Sequence, residues 1–139
     1  MTLTALALNG TLKTKRAEDP SSTDRMLKLL AVAMEPLGVT TEFLQLADFD
    51  IKPGVTSNKG DGDAWPAIRS KILETDILIK GAPIWMGQPS SVCKRALERV
   101  DAFLEEKDDE GRMVSYGRVA AVTVLGNEDG AHHVSAELT

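Results

Sequence analysis

The feature that most narrows the fold is a set of short apolar runs at residues 3–8, 77–79 and 119–125, each leading through a glycine-bearing turn into helical periodicity. A strand with one wet face alternates apolar and polar residues, whereas a run with few polar positions is buried on both faces. Burial on both faces requires helices above and below a mostly parallel sheet. Residues 39–46 mix Thr40, Thr41, Glu42 and Gln45 with Phe43 and Leu44, which suits a less buried strand at a sheet edge. Between these strands, Met26, Leu30, Ala33, Met34 and Leu37 recur at helical spacing after three candidate N-caps, Ser21, Ser22 and Thr23, and Gly38 supplies the stop. Trp65, Ile68 and Ile72 share the face of a second helix begun by Asp63 and Pro66. Cys93, Ala96, Leu97, Val100, Phe103 and Leu104 form the stripe of a third helix, capped by Ser90 or Ser91, and a last helix starts at Ala131.

Strands alternating with helices imply right-handed crossovers and a doubly wound α/β sheet of the flavodoxin type, with strand order 2-1-3-4(-5). The fifth strand and final helix of that pattern have no counterpart in these 139 residues. Residues 1–139 are therefore expected to form a single, C-terminally incomplete domain whose fourth long strand has a bare apolar edge, a hazard unless another chain covers it. A homo-oligomer is expected on that ground. Lys80 stands where a central strand calls for an apolar residue, so its amine must reach the rim or a partner.

Composition excludes several functions. Sixteen basic against 21 acidic residues give a net charge of −5, which argues against a nucleic-acid binder. No apolar run approaches the roughly 18 residues of a membrane-spanning helix. The start lacks the basic segment of a secretory signal, and the cytoplasm is the expected location. One cysteine, Cys93, excludes an intrachain disulfide and thiolate zinc sites; its place in an apolar stripe makes it a core residue. Adjacent His132 and His133 lie on different faces of a helix, so no metal is assigned. Asp48, Asp50, Asp61 and Asp63 lie in the long segment 47–63 and are expected to be solvated.

In open α/β sheets ligands bind beyond the carboxyl ends of the strands, where three segments converge. The first, around Thr11, Ser21, Ser22 and Thr23, combines hydroxyls with a helix N-terminus and suits either a phosphate or ordinary capping. It matches neither the Walker A loop nor the three-glycine dinucleotide fingerprint. The second, residues 82–89, sets Trp85 and Met86 among Pro83, Gly87 and Pro89, so Trp85 is either an aromatic wall for a flat ligand or core. The third, residues 126–130, is either a ligand loop or a tight strand-to-helix turn.

Taken in order and spacing, residues 8–12 with 20–23, then 82–91, then 126–133, the chain resembles the NADPH-dependent FMN reductase family over nearly its whole length. The resemblance implies FMN as cofactor, with Thr11, Ser21, Ser22, Thr23 and more weakly Lys13 at its phosphate. It implies Pro83, Ile84, Trp85 and Met86 beside the isoalloxazine, and Gly126, Asn127, Glu128 and Gly130 completing the site. It further implies NADPH or NADH as co-substrate and a small electron acceptor such as a quinone, an azo compound, a metal ion or a flavin. No catalytic acid or base is required, because the cofactors supply the hydride chemistry. A flavodoxin-like electron carrier without nicotinamide turnover, or a chain with no competent site, are the alternatives.

Overall fold

The computed structural model describes residues Met1–Thr139. Five strands and four α-helices follow the expected alternation: β1 (Leu3–Asn9), α1 (Ser22–Met34), β2 (Val39–Gln45), α2 (Trp65–Glu74), β3 (Ile77–Trp85), β4 (Gln88–Pro89), α3 (Ser91–Val100), β5 (Val119–Leu125) and α4 (Ala131–Leu138). The long strands are parallel in the order β2-β1-β3-β5, with Asn9 level with both Gln45 and Gly81, and Gly81 level with Thr123. This is the expected 2-1-3-4 order once β4 is set aside. That short strand folds back antiparallel on the end of β3, pairing Ile84 with Pro89 and Trp85 with Gln88.

The pleat divides β1 and β3 between two cores. Leu6, Leu8 and Leu78 pack with Trp65, Ile68 and Ile72 of α2 and Ala96 of α3, while Ala5, Ala7 and Ile79 pack under Leu27 of α1. Ala82, Ile84 and Cys93 meet Val134 and Leu138 of α4, which sets α4 beside α3. Burying a Leu, Ile or Phe completely contributes about 1.5–3 kcal/mol, so Leu6, Leu27, Ile68, Ile72 and Ile79, all at or below 2% exposure, anchor the fold. Ser21 proves to be the cap of α1, its Oγ accepting the Asp24 N–H at 3.1 Å. Gly38 ends the following 3-10 turn in the left-handed region, at φ 81°.

Three expectations need correction. Leu104 is not part of the buried stripe: α3 passes into a 3-10 turn, Asp101–Leu104, whose tighter rotation leaves Phe103 buried and Leu104 exposed. Asp63 is not solvated. Its carboxylate is fully covered, takes bonds from Arg99 Nη1 and Nη2 at 3.0 and 2.6 Å, and accepts the backbone N–H groups of Lys52, Lys59 and Trp65. Arg99, equally buried, also donates to the carbonyls of Thr56 and Lys52 and lies over the Trp65 ring. The long loop is thereby tied to α3 from beneath. Asp48 is exposed as expected, and accepts the Lys15 N–H at 3.0 Å, but Ala33 and Leu37 of the expected α1 stripe are exposed too, and Leu27 instead carries that helix's buried face.

The Lys80 amine does find a partner, the carbonyl of Leu138 at the end of α4, and its burial lowers its pKa. β5 has β3 on one side and no strand on the other; Val119, at 62%, and Ala120 are exposed, and residues 121–125 are only half-buried. No helix is long and apolar enough to cross a membrane.

Candidate functional site

Because β1, β3 and β5 are parallel and in register, the loops that follow them leave the same edge of the sheet. The first begins at Asn9, a polar residue ending an apolar strand. Its Oδ1 accepts the Thr11 N–H at 2.9 Å, and its Nδ2 is buried without an acceptor. Thr11 Oγ1 in turn accepts the Lys13 N–H at 3.2 Å. The Lys13 ammonium donates to the Pro20 carbonyl at 3.2 Å, drawing the two ends of the loop together. Gln45 Nε2 holds the Lys13 carbonyl at 2.5 Å. Beyond this turn α1 starts, and the N–H groups of Ser22 and Thr23 have no acceptor within the helix. Thr11, Ser21 and Thr23 are buried, whereas Ser22 is exposed. An open hollow of about 370 Å³ lies against this loop, with Lys13, Lys15 and Lys28 on its wall beside Ser21, Asp19 and Asp24.

The second loop is a two-residue hairpin. Met86 and Gly87 both have positive φ, 52° and 73°, the conformation that a tight turn between right-twisted antiparallel strands requires. Asparagine-glycine is the usual choice there; methionine at the first position holds a strained backbone and leaves its side chain 91% exposed. Trp85 is half exposed and, with Leu12, Met86, Gln88, Pro89 and Lys94, borders a second open hollow of about 400 Å³. Pro83 is partly covered. The Ile84 side chain is in the core, so only its backbone is available to a ligand.

The third loop, residues 126–130, leans on the hairpin. Gly87 N–H donates to Glu128 Oε1 at 3.1 Å, and a Cβ on Gly130 would come within 2.8 Å of Gly87 Cα. Gly126 and Asn127 are exposed, and Gly126 lies close against the Ile84 side chain. His132 and His133 are both exposed, and His133 Nε2 lies 3.0 Å from Gln88 Oε1 and 3.1 Å from Glu137 Oε1.

Two residues that the sequence did not single out for the site join its parts. Asn9 orders the first turn. Ser90 Oγ donates to the Gly10 carbonyl while accepting the Cys93 N–H at 3.2 Å, so the cap of α3 also holds the first loop. The signal for Asn9 was a polar residue closing an apolar strand, but Ser90's second bond, 80 residues away in sequence, left none. Gly10 fits only because it lacks a Cβ, which would fall 2.8 Å from Cys93 Cβ and 2.9 Å from the Gly81 carbonyl oxygen. Burial raises the Cys93 thiol to about 11, so it is a packed side chain at neutral pH.

Residues 3–139 match the NADPH-dependent FMN reductase family, and the chain belongs to it. It is 37% identical over 135 residues to a Mycobacterium bovis protein named divalent metal cation transporter MntH, a match spanning 94% of this chain and 19% of that one. It is 33% identical over 144 residues to the 8-demethyl-8-aminoriboflavin-5'-phosphate synthase of Streptomyces davaonensis, spanning 97% of this chain and 55% of the synthase. The crystal structure of RosB with a bound 8-demethyl-8-formylriboflavin-5'-phosphate intermediate superimposes with a TM-score of 0.82 at 31% identity, over 97% of this chain and 56% of RosB. The chain thus spans about half, or much less, of the relatives it matches.

Proposed function

We propose that the chain binds FMN and works as an NAD(P)H oxidoreductase that passes electrons to a small-molecule acceptor. The observation that carries this reading is the donor-rich turn at the end of β1. There the buried Asn9 Nδ2 lacks an acceptor and the Ser22 and Thr23 N–H groups are unused by the helix. A phosphate dianion is a group that such donors and the positive end of α1 satisfy together. The residues present therefore fit FMN. Thr11, Ser21, Ser22 and Thr23 would hold its phosphate with Lys13 adding charge, and Trp85, Met86 and residues 126–130 would flank its ring.

When bound, FMN supplies the redox chemistry, accepting hydride from a nicotinamide and releasing electrons onward. The protein's contribution is positional. Trp85 offers a stacking wall, the hairpin and third loop offer backbone donors, and Cys93 takes no part. In this reading residues 1–139 form one FMN-binding unit, act in a cytoplasmic homo-oligomer and use an acceptor drawn from quinones, azo compounds, metal ions or flavins.

Titration with FMN and riboflavin tests the phosphate site. Loss of the phosphate removes charge-assisted bonds of about 1.5–3 kcal/mol each, so equal affinities would sink it. Anaerobic mixing of the FMN-loaded protein with NADPH or NADH tests the enzyme. Reduction by dithionite but by neither nicotinamide would make the chain an electron carrier.

A second reading takes riboflavin 5'-phosphate as substrate. It is supported by the identity of about a third to the Streptomyces synthase and by the RosB superposition. Mass spectrometry of the flavin recovered after turnover separates the two: an unchanged FMN mass belongs to a cofactor, a changed one to a substrate.

A further inference from the structure

We propose that Glu128 tunes flavin affinity: in the flavin-free protein it occupies the backbone donor a ring carbonyl would take, and it is displaced when the ring binds. This rests on the ring position proposed above.

In a two-residue hairpin the strand residues on either side use their N–H and C=O groups in the ladder, while the N–H groups of the two turn residues point out of it. The Met86 N–H has no acceptor within the chain. The Gly87 N–H has one, the Glu128 carboxylate at 3.1 Å. A single N–H serves one strong acceptor well, so the carboxylate and an incoming carbonyl oxygen compete for it. The competitor is also free to leave. Glu128 lies in an exposed run from Gly126 to Asp129, and its carboxylate has no other bond within the chain. The hairpin is not free to follow it. β3 and β4 pair on both sides of the turn, and Gly130 lies close against Gly87. The donor therefore stays in place while the carboxylate swings, which suits exchange of one acceptor for another rather than collapse of the loop.

The test is titration of the wild type, E128A and E128Q with FMN and with riboflavin, followed by flavin fluorescence. Removing the competitor should tighten both ligands by the same factor, about three- to tenfold, the net range of one hydrogen bond. E128Q keeps an oxygen able to accept from Gly87 and should gain less than E128A. Amide exchange in the flavin-free protein should show the Gly87 N–H less protected in E128A than in the wild type. Unchanged or weaker binding by E128A overturns the proposal, as does tightening for FMN alone, which would mean charge repulsion of the phosphate. Equal gains in E128A and E128Q overturn it as well. If neither wild type nor variants bind any flavin, the FMN reading itself fails and takes this proposal with it, an outcome distinct from a wild type that binds FMN with no response at Glu128.

Discussion

Replacing Asp63 with Asn should destabilise the protein far more than its place in a long polar loop suggests. The carboxylate receives two guanidinium bonds and three backbone N–H groups with no exposure to solvent. Asparagine retains one oxygen and turns an NH2 toward donors, leaving the Arg99 charge buried without its counter-ion. Breaking a buried pair from one side costs about 3–5 kcal/mol. The pair lies beneath a surface loop rather than at the centre of the sheet, so the lower end, about 3 kcal/mol, is expected. Against a total stability of about 5–15 kcal/mol that is a large share. It should lower Tm by roughly 10 °C for a chain of this size.

The double variant D63L/R99M, which removes both charges, should recover much of the loss. The pH dependence follows from the sign of the shift. The Arg99 guanidinium holds the Asp63 carboxyl below its ordinary value, so its contribution is complete above the unfolded pKa of about 3.9 and is lost as pH falls through the folded value. Urea unfolding followed by circular dichroism at several pH values checks this: the gap between wild type and D63N should narrow below about pH 4. A loss under about 1 kcal/mol, within the range of exposed ion pairs, or a gap constant from pH 7 to about pH 2, would refute the reasoning.

Met86→Asn should stabilise the hairpin by about 1 kcal/mol, since asparagine tolerates positive φ better than methionine; an unchanged or lower Tm would count against strain at the turn. Cys93 should react with a thiol reagent at neutral pH only as fast as the protein opens, so labelling and unfolding rates should coincide in a urea series. The unpaired edge of β5 should make the isolated chain self-associate as its concentration rises, measured by light scattering, and a charge at Val119 should reduce this. A monodisperse monomer across the concentration range would remove the expectation.

The strand order and the faces of α2 and α3 were legible because burial leaves a direct mark on composition. The run 3–8 had to be covered on both sides, and Trp65, Ile68 and Ile72 could share only a helical face. What escaped were polar groups whose partners lie far away in sequence. Arg99 reads as an outward charge on its helix, and Asp63 as one of several loop carboxylates, until folding brings them to 2.6 Å. The hairpin was missed because Met86-Gly87 lacks the asparagine that usually announces it. In the site, the hydroxyls at the start of α1 and the exposed Trp85 were readable as residue types in turns. The Ile84 side chain turns instead into the core, since β3 continues two strand positions past Ala82.

The double bond of Ser90 bears on how such chains can be recombined. One hydroxyl caps α3 and holds the Gly10 carbonyl, while Gly10 itself fits only against Cys93 and Gly81. The turn after β1 and the start of α3 therefore form one inherited unit, although most of the chain's first two thirds lies between them. A chimera that takes residues 9–11 from one relative and 81–93 from another breaks a matched set. A single crossover anywhere between residues 11 and 81 splits it, whereas one in the exposed stretch before β5 leaves it whole.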